Sequence, residues 1–286
     1  MKKNKVLETQ INEITLDSLS KLLLSESNLT VAVCNANSLV RAYKNEKIKN
    51  ILNNFDICTP DGFPVAMASK ILYKNKQKRV DGYKIFNNTL KKSEGTNTSH
   101  YFFGNTEEVV NKIIEKYKDS NIVISGYKCP PMLDVDDLLN KEYIDDILND
   151  KPDIIWVSLG FPKQELFINE LKNKTNISSN LVGVGFTFDW TAGTKIKAPE
   201  FLANIGLEWI FRLIQEPRRL IKRYLVDNFL FVIFFMKQYL RSWVIILSDL
   251  LDDVYKVFDK FDLDEKIQFC LLYTSDAADE DLPVDS

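Results

Sequence analysis

A chain of 286 residues, 45% hydrophobic and 27% charged, is long enough for one large domain or for one domain with an appendage, and apolar enough for a substantial core. Its formal net charge of −3 argues against a general nucleic-acid binder, and a single histidine, His100, excludes a His-rich metal site and disfavours a Ser/His/Asp triad. Cys34, Cys58, Cys129 and Cys270 show no CxxC spacing, and no apolar segment follows the basic start Met1–Lys5. Both features point to a reduced cytosolic setting, with the cysteines as small core residues.

Leu29–Cys34 reads as a buried strand, followed by a helix whose apolar face is Leu39, Val40, Tyr43, Ile48, Ile51 and Leu52. Asn37 is the natural N-cap of that helix. Asn35, at the carboxyl end of the strand, fits two readings: an amide offered to a ligand, or an Asx turn. Phe55–Cys58 is a second strand, and Phe63–Tyr73 a helix with Phe63, Ala66, Met67, Ile71 and Leu72 inward. Between them, Thr59-Pro60-Asp61-Gly62 puts a carboxylate on a tight strand-to-helix turn. Open α/β sheets bind ligands at this edge, although Pro-Asp-Gly is also ordinary turn chemistry. Lys74–Lys78 is a basic loop of solvated lysines; beyond it Arg79 adjoins the turn Asp81-Gly82 and is placed to face the crevice.

Plain alternation follows. Strand His100–Phe103 leads through Gly104-Asn105-Thr106 to helix Glu107–Tyr117, strand Asn121–Ser125 to a helix around Asp136–Leu148, and strand Asp153–Leu159 to helix Lys163–Lys172 and strand Asn180–Val184. This is the pattern of βαβ units around a parallel sheet. His100 fits a structural role at its strand. Glu107 and Glu108 suit the helix dipole unaided, so the Gly104-Asn105 turn is better placed to contact a nucleoside than a phosphate. In Gly160-Phe161-Pro162-Lys163-Gln164-Glu165 the strand ends at Gly and Pro opens the helix; Lys163 and Gln164 either enter the crevice or form a normal exposed first turn. In Gly183–Gly193, glycines bracket an aromatic-Asp-aromatic core. Phe188 stands where a GxGxxG fingerprint needs its third glycine, so a dinucleotide fold and an NAD-linked oxidoreductase are poorly supported. Glycines such as Gly185, with Asp189 beside them, suit close approach to a nucleotide's ring and ribose.

From Pro199 the pattern changes. Leu202–Glu216 reads as an amphipathic helix, and Pro217 opens another. Between Lys195 and Arg241 nine Lys/Arg face four acids, a surplus of 9 − 4 = 5, which predicts an anionic partner for this segment. On an unbroken helix Arg212, Arg219 and Arg223 would share one stripe, a register that Pro217 disturbs. The apolar run Phe229–Met236, cut off by Lys237 and Arg241, is shorter than the roughly 20 residues of a membrane span. It fits a helix lying in a membrane surface or a buried core helix. Residues 270–286 do not fit what precedes them, resemble translated adapter sequence, and are set aside as a non-native or disordered tail.

The ordered set Asn35-Ala36-Asn37, Thr59-Pro60-Asp61-Gly62, Arg79-Val80-x-Gly82, Phe103-Gly104, Gly160–Glu165, Gly183–Gly193 and Glu208-Trp209-x-x-Arg212-Leu213-x-x-Glu216-Pro217-x-Arg219-Leu220 resembles the WecG/TagA/CpsF family of glycosyltransferases. The resemblance runs in family order from about residue 30 to 240. It implies a Rossmann-like α/β fold, a parallel sheet flanked by helices over 1–197, with a C-terminal helical appendage over 198–269 that meets the membrane and the acceptor. The implied reaction moves N-acetylmannosamine or a relative from a UDP-sugar to a polyprenyl-diphosphate-linked GlcNAc at the inner face of the cell membrane. By the same resemblance Asp61 matches the catalytic base, while Asn35, Arg79 and Gln164 match active-site polar positions. Arg212 and Arg219 match arginines that meet diphosphate. Lys163, Gly104, Asn105, Gly185, Asp189 and Arg223 complete the expected substrate-binding set with Lys222, which stands where the family often has Arg and lacks its bidentate fork. Phe186 is bulkier than the small residue common at its position.

An acceptor hydroxyl must lose a proton as it attacks, so a carboxylate is needed, and departing UDP gathers charge that a metal or fixed cations must meet. Asp134-Val135-Asp136 is formally a metal-binding DxD, but it lies at an expected helix start, where acids suit the dipole. Asp262-Leu263-Asp264 falls in the tail. The expectation is therefore a metal-independent, inverting enzyme without cofactor, with no nucleic-acid partner and with a homo-oligomer open. A non-catalytic nucleotide-sugar-binding regulatory module is the alternative.

Overall fold

In the computed structural model, residues 1–258 are described, without the side chains of residues 219, 222, 223, 249, 250 and 252–258. The chain starts with a hairpin, β1 (Lys3–Val6) and β2 (Thr9–Asn12), and helix α1 (Leu16–Ser25). Then come β3 (Thr30–Cys34), α2 (Ala36–Lys44), α3 (Glu46–Asn54), β4 (Ile57–Pro60), α4 (Phe63–Tyr73), α5 (Gly82–Ser93), β5 (Ser99–Gly104) and α6 (Glu107–Tyr117). The alternation continues with β6 (Val123–Lys128), α7 (Val135–Leu138), α8 (Lys141–Asp150), β7 (Ile154–Ser158), α9 (Lys163–Lys174), β8 (Asn180–Gly183) and α10 (Thr187–Thr191). Three further helices follow, α11 (Glu200–Asn204), α12 (Glu208–Gln215) and α13 (Pro217–Phe258). Met1–Phe235 form one compact unit and a second begins at Met236.

Six strands make one parallel sheet in the order β4-β3-β8-β7-β5-β6. The α/β, Rossmann-like expectation is therefore met. The central strands are buried on both faces, as parallel sheets require: Ile155 and Val157 enter one cluster with Phe103 and Phe167, Ile154 and Trp156 the other with Phe86 and Phe102. His100 is buried on the second face, where Nδ1 accepts from Trp156 Nε1 at 3.1 Å and Nε2 meets Ser93 Oγ at 2.7 Å. Burial pushes its pKa down to about 4, so it is a neutral core residue, in line with the structural role expected. Cys34 and Cys58 are buried free thiols.

Several elements differ from the sequence reading. The expected single helix after β3 is two, split at Asn45, which ends α2 and caps α3 by accepting from Ile48 N at 3.1 Å. The cap of α2 is Asn35, not Asn37: Asn35 Oδ1 accepts from Ser38 N at 3.2 Å in a capping box, and Asn37 is already helical. The helix expected around Asp136–Leu148 is also two, α7 and α8. A short helix, α10, opens within Gly183–Gly193. The amphipathic helix expected over Leu202–Glu216 breaks at Gly206, whose φ of +82° no right-handed helix admits. The chain breaks again at Glu216, between α12 and α13, so Arg212 sits on a different helix from Arg219 and Arg223 and no unbroken helix carries all three.

The edge strand β4 is covered by the hairpin, with Asn12 Oδ1 accepting from the outward Cys58 N at 2.8 Å. Within α13, Tyr224–Ser248 is long and apolar enough to cross a membrane by length and composition, more than the run Phe229–Met236 suggests. It is not the buried core helix that was one expectation: Phe231 is buried, but Phe229, Val232, Leu240 and Ile246 are exposed. The acids Asp262 and Asp264 and the tail 270–286 lie outside the described residues.

Candidate functional site

All six strands point the same way, so the loops after them share one rim, and five of those loops line a single crevice there. Asn35 follows β3, Asp61 follows β4, Asn105 follows β5, Ser158 closes β7 and Gly185 follows β8. The crevice has two arms. One, a cavity of about 490 Å³, lies over Asn105, Gln164, Gly185, Phe186, Asp189 and Trp190. The other lies between the α4 start and the helices after Pro199, over Phe63, Pro64, Trp209, Tyr224 and Asn228. Asn35, Asp61 and Arg212 line both arms and mark their junction.

Asp61 is fixed by its backbone, with N donating to Cys34 O at 2.9 Å while Val80 N donates to Pro60 O at 2.9 Å. Burial pushes its carboxyl up to about 6; the Arg79 and Arg212 cations oppose the rise, and the Asp81 and Glu208 carboxylates add to it. Asn35 spends its oxygen on the helix cap, which leaves its amide NH₂ as the group that a ligand at the junction would meet. Arg79 lines the second arm, but its charge is committed: Nη1 reaches Glu208 at 2.6 Å and Nη2 reaches Asp81 at 3.0 Å.

In the first arm, β5 and β7 end so close together that a Cβ on Gly104 would lie 2.6 Å from Ser158 O. Gly104 therefore allows the approach and is not itself a lining residue. Asn105, at φ +65°, donates to Asp189 at 2.9 Å and to Ser158 Oγ at 3.3 Å. Gln164 is buried beneath the arm; its Oε1 accepts from Gly185 N at 3.0 Å and its Nε2 donates to Glu165 Oε1 at 2.8 Å. Gln164 thus enters the crevice wall as expected. Lys163 is half-buried at the start of α9 and is not among the residues that line the crevice.

Arg212 carries the α12 charge into this arm. Its guanidinium lies 5.1 Å from the Phe186 ring centre and 5.2 Å from that of Trp190, and the two rings meet edge to face at 5.5 Å. The bulky Phe186 is half of the platform that holds Arg212. The backbone of Arg219, Lys222 and Arg223 lies in α13, but their side chains are outside those described. Asp134 and Asp136 start α7, where Asp136 is exposed and pairs with Lys174 at 3.3 Å.

A model of the "Glycosyl transferase WecG/TagA/CpsF family" matches residues 4–244. The chain belongs to the WecG/TagA/CpsF family of glycosyltransferases. A Bacillus spizizenii relative named N-acetylglucosaminyldiphosphoundecaprenol N-acetyl-beta-D-mannosaminyltransferase is 33% identical over 180 residues, 62% of this chain and 68% of that protein. Relatives of the same name in Bacillus subtilis (28% over 191 residues, 66% of this chain and 72% of that protein) and Staphylococcus aureus strain MW2 (27% over 196 residues, 68% and 76%) match a similar share.

Sequence reasoning assigned no site role to several residues that this glycosyltransferase places in or beside the second arm. Glu208 lies one helical turn before Arg212, a spacing that could have marked it as sharing that face. Asp81 caps α5 by accepting from Lys84 N at 2.9 Å while pairing with Arg79 and, at 3.4 Å, with Lys197. Trp209 packs edge to face with Tyr224 at 6.1 Å in the second arm, and Asn37 donates to Asp227 of α13; neither pairing had a local sequence signal.

Proposed function

We propose that this glycosyltransferase moves N-acetylmannosamine, or a related hexose, from a UDP-sugar to a polyprenyl-diphosphate-linked GlcNAc, with inversion and without a metal ion. The observation that carries the reading is the position of Asp61, a carboxylate of raised pKa at the meeting point of two arms. The first arm, with its glycine backbone, the Asn105–Asp189 pair and the Arg212 platform, suits the UDP-sugar. The second, walled by Phe63, Trp209 and Tyr224, suits the acceptor sugar. Asp61 takes the proton of the acceptor hydroxyl as that oxygen bonds to the anomeric carbon and the bond to UDP breaks. Arg212, held against Phe186 and Trp190, meets the charge that gathers on UDP, while Asn35 and Gln164 orient the donor. The matching names of the three relatives support the sugar moved and the acceptor. The exposed apolar surface of α13 supports work at the inner membrane face, where a lipid-linked acceptor is presented.

The test incubates the full chain with a short-chain lipid-diphosphate-GlcNAc and a panel of UDP-sugars and weighs the products. A mass gain of one N-acetylhexosamine from UDP-N-acetylmannosamine, undiminished by EDTA, is expected. No gain from any donor would end the proposal, and loss to EDTA with rescue by Mn²⁺ would end its metal-free part.

A further inference from the structure

A third cavity, of about 670 Å³, opens on the far side of Arg79. It follows one stripe of α4, Phe63, Ala66, Met67 and Lys70, at the i, i+3, i+4, i+7 spacing of a single helix face. At 1.5 Å per residue that stripe is about 10 Å long. It begins two residues after Asp61 and ends in the last turn of α4. Phe63, Arg79 and Ala203 line both this cavity and the second arm of the crevice, so the two adjoin.

The near end is apolar and the far end cationic. Five cations line the cavity, Lys70, Lys78, Arg79, Lys84 and Lys197. Three carboxylates answer three of them: Glu200 pairs with Lys84, Asp81 with Lys197, and Glu208 with Arg79. Lys70 and Lys78 have no carboxylate within ion-pair distance among the described residues. The unmatched charge therefore rests on Lys70, at the end of the α4 stripe, and on Lys78, next to Arg79 in the chain.

We propose that Lys70 and Lys78 bind the diphosphate of the lipid-linked acceptor, whose sugar lies beside Asp61. The proposal deepens the transfer reaction given above and rests on it. A sugar hydroxyl at Asp61 sends the diphosphate on the far side of that sugar along the α4 stripe, toward these two lysines. Arg212 lines both arms, but its guanidinium lies against Phe186 and Trp190 on the donor side, where the diphosphate of UDP needs it. Two diphosphates held at once repel each other unless each has its own cations. Lysine ammonium groups suit this task because they follow phosphate oxygens as mobile point charges.

The experiment compares the full chain with its Lys70→Glu/Lys78→Glu double variant, both checked for an unchanged melting temperature. Both are assayed with UDP-N-acetylmannosamine and a short-chain lipid-diphosphate acceptor in detergent. The expected result is an acceptor KM raised about tenfold or more, the effect of losing charge-assisted hydrogen bonds, with kcat and donor KM unchanged. An uncharged alkyl glycoside of the same sugar should show equal KM values for the two proteins. An unchanged acceptor KM, or an equal rise for the uncharged glycoside, overturns the proposal. So does a variant that loses only its binding to phosphatidylglycerol vesicles, since the lysines would then serve a lipid headgroup. Inorganic pyrophosphate binding, measured with UDP saturating the donor arm, separates the two readings. If the wild type makes no product but binds pyrophosphate and the double variant does not, the transfer reaction is wrong and the phosphate site stands.

Discussion

Arg79 reaches Glu208 at 2.6 Å while lying close enough to Asp61 to oppose the rise of its pKa. One guanidinium thus ties the loop before α5 to α12 and sets the charge balance at the crevice junction. The groups that act on Asp61 are Arg79 and Arg212, which favour its ionised form, and Asp81 and Glu208, which disfavour it. Glu208→Gln removes one repulsive charge and frees part of Arg79. Both effects lower the Asp61 pKa, so the acid limb of kcat/KM should move to lower pH than in the wild type. A pH–rate profile of the two enzymes checks this; an unmoved or raised limb would show that Glu208 does not act on the base.

Asp61→Asn separates catalysis from stability. As the base, Asp61 should contribute about 10²–10⁴ in kcat, and its loss should leave UDP binding intact. Its folded pKa of about 6 lies above the ordinary aspartate value of 3.8, so folding favours the protonated form. That contribution is complete below about pH 3.8 and is lost as pH rises through about 6. At pH 8 the charged carboxylate then costs about 1–3 kcal/mol, which asparagine avoids. The variant should melt above the wild type at pH 8, and the gap should close toward pH 4. Calorimetry at the two pH values, beside a turnover assay, measures both.

How much of this was legible before the fold was known depended on how local each signal was. The strands buried on both faces carry uninterrupted apolar runs, and helix Glu107–Tyr117 was read to its last residue because Thr106 and the two glutamates announce its start. The β1–β2 hairpin was not read. Its turn is Leu7-Glu8, at φ +47° and +63°, where asparagine and glycine are the usual signal, and its inward residues include the polar Asn4 and Asn12. Among site residues, Asp61, Asn35 and Arg212 stood out from their motifs and meet at the junction. The Arg79–Glu208, Asp81–Lys197 and Asn105–Asp189 pairs act across 84 to 129 residues of chain, and pairings of that range leave no periodicity to read.

Gly206 turns α11 into α12 at φ +82° and backs directly onto Phe63, where an added Cβ would lie 2.8 Å from the ring. Gly206→Ala meets both a left-handed backbone and a ring it must displace, and should destabilise the protein by about 1–3 kcal/mol. Phe63 lines the second arm and the α4 cavity, so the acceptor KM should rise while the donor KM holds. Urea denaturation and steady-state kinetics test the two parts. A variant of wild-type stability would mean that the Gly206 turn can relax into another conformation.

Arg212→Lys keeps the positive charge of α12 but loses the flat group that rests on Phe186 and Trp190. Cation–aromatic contacts of this kind contribute about 0.5–2 kcal/mol, or roughly 2- to 30-fold in an equilibrium constant. The loss should appear in the UDP-sugar KM and in kcat, because a lysine ammonium swings freely and cannot hold two phosphate oxygens at once. The acceptor KM should change less than the donor KM: Arg212 lines both arms, but its guanidinium rests against the rings of the donor arm. Phe186→Ala removes half of the platform without touching the charge and should reproduce most of the donor defect. Kinetics of the two variants and of their double variant measure the coupling, and strictly additive losses would show that the ring does not act through Arg212.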